Sequence, residues 1–173
     1  MTGNIPVFRR RYTVIPLLSA VGAIVFIFES MIPQPVPWAK LGISNIAVIL
    51  ALYYYRFPEA LSVSWLRVII GGFFTGGILS PAFVFGITGG LFSAVSMAFA
   101  LKLTGKKLSP VGISIIGASF HSLGQLTAAY LFFIHQSTIW NLFPYMIMAS
   151  ALTGSIVGFI SINILKRTFH SEQ

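Results

Sequence analysis

The chain contains no cysteine and no aspartate, and its acidic residues are Glu29, Glu59 and Glu172. Without cysteine there is neither a disulfide nor a thiolate metal site. Without aspartate the usual Mg²⁺ ligands of a prenyl transferase or nucleotide hydrolase are missing. No G-x-x-x-x-G-K-[ST] run offers a phosphate cradle. No G-x-S-x-G elbow or complete Ser-His-Asp set is present. The histidines, His121, His135 and His170, are too scattered to suggest a metal site. These absences argue against an autonomous enzyme and against a resident metal or cofactor.

Charge is also scarce. Only 8% of the 173 residues are charged against 56% hydrophobic, and mean hydropathy is +0.89. A soluble domain carries about a quarter charged residues, so this chain lacks the surface to stay in water. In lipid every backbone N–H and C=O must be paired internally, which leaves helices or a closed barrel. The apolar runs are long and do not alternate as barrel strands do. The expected fold is therefore an all-α integral membrane protein, a six-helix transmembrane bundle forming one domain over residues 1–173. The expected spans are 13–32, 41–55, 60–79, 82–103, 110–133 and 139–165. The second is short for a crossing. Three prolines between residues 33 and 37 forbid helix there. Pro144 in the sixth span implies a kink or a late helix start.

The net charge of +8 would suggest nucleic acid in a soluble protein. Here the basic residues sit in short clusters at span ends, so orientation in the bilayer explains them and no nucleic-acid partner is expected. With the N-terminus in the cytoplasm, nine of the eleven Lys and Arg residues fall inside. Lys40 alone falls outside, and Arg67 lies within span three. Both termini are thus expected to be cytoplasmic. Small residues recur four apart, in Gly86, Gly90, Ala94 and Ala98, in Ser150, Gly154 and Gly158, and in Gly72 and Gly76. Such stripes let lipid-embedded helices approach closely. On span one, Ser19 and Ala23 with Ala20 either pack internally or dock a second membrane subunit.

Polar residues inside lipid are costly and mark candidate sites. Glu29 is the one acid within a span. Arg67 lies roughly 10 Å into span three, too deep for easy snorkelling. His121 and Gln125 are four apart on span five and share a face. Asn45 opens span two, with Lys40 and Gly42 just before it. Glu29, Lys40, Gly42, Asn45, Arg67, His121 and Gln125 are the expected lining of a pocket that opens outward under the proline-rich loop. An Arg and a Lys together suit a carboxylate or phosphate ligand.

Several of these strings resemble one bacterial family. Glu29 to Pro37 and Lys40 to Asn45 read as its E-x-x-I-P … P-x-x-K-x-G-x-x-N opening. Leu66-Arg67-Val68 with Gly71, Ser80-Pro81 followed by Gly89-Gly90, and Gly117 through Gln125 resemble its later motifs. Where the family often reads His-Asn, this chain has His121-Ser122. The family goes by two names, "Gx transporter" and "heptaprenyl diphosphate synthase component I". It is similar to the substrate-capture subunits (S components) of energy-coupling-factor uptake transporters. That likeness implies a multi-pass protein of the bacterial cytoplasmic membrane that binds a small, vitamin-like or cofactor-precursor molecule from outside. It also implies a transmembrane scaffold and ATPase subunits as partners, with Ser19, Ala20 and Ala23 as docking positions. The second name implies instead a non-catalytic accessory subunit of a prenyl diphosphate synthase. A proton-coupled secondary transporter is a third reading of the same residues.

Overall fold

The computed structural model describes residues 7–32 and 42–170. Six α-helices follow in order: α1 (Val7–Met31), α2 (Asn45–Tyr54), α3 (Phe57–Phe74), α4 (Pro81–Thr104), α5 (Pro110–Ala129) and α6 (Phe143–His170). No strand occurs among the described residues.

Local chemistry sets several of the boundaries. Ser80 precedes Pro81 and accepts the Phe83 N–H at 3.3 Å, which starts α4. Ser109 precedes Pro110 and does the same for Gly112, also at 3.3 Å, which starts α5. In both, Pro occupies the first turn, where its missing N–H has no intrahelical partner to lose. At the head of α3 the Glu59 carboxylate accepts the Arg56 N–H at 3.2 Å. Beyond α5 the chain widens into one π turn, Tyr130–Ile134, and leaves it through His135 in a left-handed conformation (φ 51). A 3₁₀ segment, Ser137–Leu142, leads into α6, so Pro144 stands in the first turn of a late-starting helix.

Four stretches are long and apolar enough to cross a membrane: Tyr12–Met31, Phe57–Phe74, Pro81–Thr104 and Ser137–Arg167. The chain is a multi-pass helical membrane protein. Their outward faces carry large apolar side chains, including Leu17, Val21, Ile24 and Phe28 on α1 and Leu152, Ile156 and Phe159 on α6. Such continuous exposed stripes are foreign to soluble monomers and match a lipid surround. α5 has spanning length but falls outside this group, because Ser114, Ser119, His121, Ser122, Gln125 and Thr127 dilute its hydropathy. The second expected span is the largest departure. α2 has ten residues, about 15 Å of rise, roughly half a hydrocarbon core. It is an interior helix. Seven of its residues, Asn45, Ala47, Val48, Ile49, Leu50, Ala51 and Leu52, are buried.

α2 lies against α1, α3 and α6, while α1 packs on α3, α3 on α4, α4 on α5, and α5 on α6. The small residues mediate these contacts. A Cβ at Gly86 would lie 3.0 Å from Val68 of α3, and Gly90 abuts Ser64 of the same helix. Cβ atoms at Gly154 and Gly158 would come within 2.8 Å of Ile115 Cα and 2.5 Å of Val111 Cα on α5. The Gly72–Gly76 pair does not form a helical stripe, because α3 ends at Phe74 and Gly76 sits in the following turn with φ 67.

Candidate functional site

The N-terminus of α2 is the organising point. Gly42 has φ 75, a backbone state that glycine adopts without strain. Its carbonyl accepts the Asn45 N–H at 2.9 Å. That turn aims the next amides at α1, where the Glu29 carboxylate accepts the Ile43 N–H at 2.6 Å and the Ser44 N–H at 3.4 Å. Helix N-termini leave N–H groups unpaired and favour negative charge. Ser44, the N-cap residue, makes no side-chain cap of its own, so a carboxylate from another helix serves instead. Glu29 is only 2% exposed.

Arg67 reaches the same turn from α3. It is also 2% exposed. One terminal nitrogen donates to Ser44 Oγ and the other to Asn45 Oδ1, the latter at 2.6 Å. Its Nε is buried with no hydrogen-bond partner. Gly22 of α1 packs closely here, since a Cβ there would sit 3.2 Å from Ala47 Cβ and 3.4 Å from Arg67 Cβ and Cδ. Ser44 therefore touches both ions, through its N–H to Glu29 and through its hydroxyl to Arg67.

His121 and Gln125 on α5 complete a narrow cleft with Glu29, Gly42, Asn45 and Arg67, about 20 Å³ in volume. That is room for about one water. Opposite His121 stands Gly89 of α4, where a Cβ would fall 2.8 Å from His121 Cε1. A second and larger cavity, about 230 Å³, lies between α2, α4, α5 and α6. Gly42, Asn45, His121 and Gln125 line both spaces, so they form the partition between them. On the far wall Ser122 Oγ and Ser150 Oγ share a hydrogen bond of 2.7 Å that ties α5 to α6.

Six of the seven residues singled out in the sequence thus come together, and Lys40 lies outside the described residues. Both terminal nitrogens of Arg67 donate within the chain, to Ser44 and Asn45. The candidate docking positions separate. Ser19 and Ala23 are each 1% exposed and turned into the bundle, with Ser19 Oγ donating to the Ile15 carbonyl at 2.8 Å. Of the three, only Ala20 is exposed. Among the described residues no three His, Cys, Asp or Glu side chains gather where a metal ion could be held.

Sequence reasoning did not assign Ser44, Gly89, Ser93 or Ser150 to the site. Ser44 and Gly89 lie within strings already singled out, Ser150 was read as part of a packing stripe, and Ser93 falls one helical turn from Gly89 and Gly90. Neither a curated relative nor a solved structure matches the chain. The family model for heptaprenyl diphosphate synthase component I matches residues 18–164, nearly the whole of the described bundle. The chain belongs to the heptaprenyl diphosphate synthase component I family.

Proposed function

We propose that the chain is a membrane-embedded substrate-binding subunit for uptake of a small organic molecule, energised by partner ATPases through a transmembrane scaffold. One observation carries this reading. A cavity of about 230 Å³ between α2, α4, α5 and α6 adjoins a buried polar cluster inside a bundle that includes membrane-crossing helices. Polar groups at such depth mark substrate pathways by default, and cavities between helices are common ligand sites. The lopsided Lys and Arg distribution supports two cytoplasmic termini and entry of the ligand from outside. Docking to a scaffold then uses the exposed face of α1, where Ala20 lies among Leu17, Val21 and Ile24, with Ser19 and Ala23 serving internal packing.

The family name favours a second reading, a non-catalytic membrane subunit that anchors a soluble prenyl diphosphate synthase. Purification with cell-derived lipids and mass spectrometry of what co-elutes separates the two. The capture role expects a retained small molecule that Gln125→Ala releases. Co-purification of a soluble synthase, with loss of long-chain quinone on deletion, would establish the accessory role instead. Uptake in proteoliposomes that follows a pH gradient without ATP would point to a stand-alone secondary transporter.

A further inference from the structure

We infer that the cavity between α2, α4, α5 and α6 receives the uncharged body of a compact ring compound, hydrogen-bonded by Ser93. The inference rests on the capture role and names the class of ligand it serves.

Three observations bear on the ligand. The first is charge. Among the described residues no Asp, Glu, Lys or Arg lines this cavity, and His121 is its one titratable group. An ionised group placed there would lose its hydration with no opposite charge to compensate. Across the partition Glu29 and Arg67 already balance each other, and their cleft of about 20 Å³ has no room for a carboxylate or phosphate.

The second is size and shape. An apolar cavity of about 150 Å³ takes benzene, so about 230 Å³ suits two fused rings. A heptaprenyl chain, with roughly six times the carbons of benzene, does not fit. Met97 of α4 and Met146 of α6 line the cavity. Their thioethers adapt to flat ligands and pack well against aromatic rings.

The third is an unmet hydrogen bond. Ser93 is 1% exposed, lines the cavity, and its hydroxyl has no partner in the chain. Buried hydroxyls are nearly always paired. Gly117 lets α5 approach this hydroxyl closely, since a Cβ there would stand 3.1 Å from Ser93 Oγ and 2.6 Å from Met97 Sδ. A hydroxyl or carbonyl on the ligand ring would complete Ser93.

The test uses the full chain in lipid nanodiscs, with naphthol, naphthalene, naphthoate and heptaprenyl diphosphate as probes. Naphthol should saturate a single site, with naphthoate and heptaprenyl diphosphate at least 100-fold weaker. Ser93→Ala should weaken naphthol about ten-fold and leave naphthalene unchanged. Ala118→Leu, which narrows the cavity, should weaken both. Naphthoate binding as tightly as naphthol, or a Ser93→Ala protein that binds naphthol normally, would overturn the inference. Failure of the capture role reads differently. If the naphthol pattern holds but cells take up no solute through the chain, the cavity assignment stands and the uptake reading falls. If an anionic solute co-purifies and Arg67→Ala releases it, uptake stands and the neutral-ring assignment falls.

Discussion

Glu29 and Arg67 never need to touch to act together, because Ser44 joins them, its N–H on the carboxylate and its hydroxyl on the guanidinium. Breaking one side of such a buried arrangement leaves the other charge uncompensated. Glu29→Ala should cost about 3–5 kcal/mol, read as a fall in thermal midpoint in detergent. Arg67→Met should cost a similar amount, and the double variant should be distinctly less damaged than the two single losses added together. Strict additivity would show that the two ions are energetically independent.

His121 owes its place to a missing methyl. Gly89→Ala would put a Cβ 2.8 Å from the imidazole and should destabilise by about 1–3 kcal/mol through overpacking. Adding His121→Ala should recover part of that loss. A thermal melt of the single and double variants decides, and no recovery would mean that the strain lies elsewhere.

The hydroxyl pair between α5 and α6 makes a sharper stability test. Ser122→Ala or Ser150→Ala alone strands the other hydroxyl and should cost about 1–3 kcal/mol, whereas replacing both should cost little more than replacing one. Unfolding curves of the three variants measure the difference.

The left-handed turn before α2 predicts a graded series. Gly42 has φ 75, so Gly42→Ala should cost about 1–2 kcal/mol. Gly42→Asn should cost less, since Asn tolerates that conformation. Equal losses would point to side-chain crowding.

Topology can be read directly because the chain carries no native thiol. Single cysteines at Thr2 and Ser171 should both be labelled from the cytoplasmic side only. Labels on opposite faces would end the two-termini-inside reading and the outward-facing entry with it.

Much of this was legible in the residues. The four-residue spacing of His121 and Gln125 puts both on one face of α5, and that face lines the cavity. Ser80-Pro81 and Ser109-Pro110 announce the starts of α4 and α5 through their caps. α2 was harder. Its apolar run begins before the helix does, since Gly42 to Ser44 form a turn that Glu29 caps from fourteen residues away. No local pattern reveals a cap supplied by another helix. Gly72 and Gly76 have the spacing of a packing stripe, yet Gly76 ends up in the turn after α3. On α1, spacing finds small residues but not the rotation of the helix, which turned Ser19 and Ala23 inward. Long-range packing settles both points.

Because α2 rises only about 15 Å, it cannot be threaded into the bilayer by its own hydrophobicity. Its seat exists only once α1 has delivered Glu29 and α3 has delivered Arg67. The same helix also lies against α6 and shares its core with Met97 of α4, Ile113 of α5 and Val157 of α6. The shortest helix is therefore held by both halves of the bundle at once.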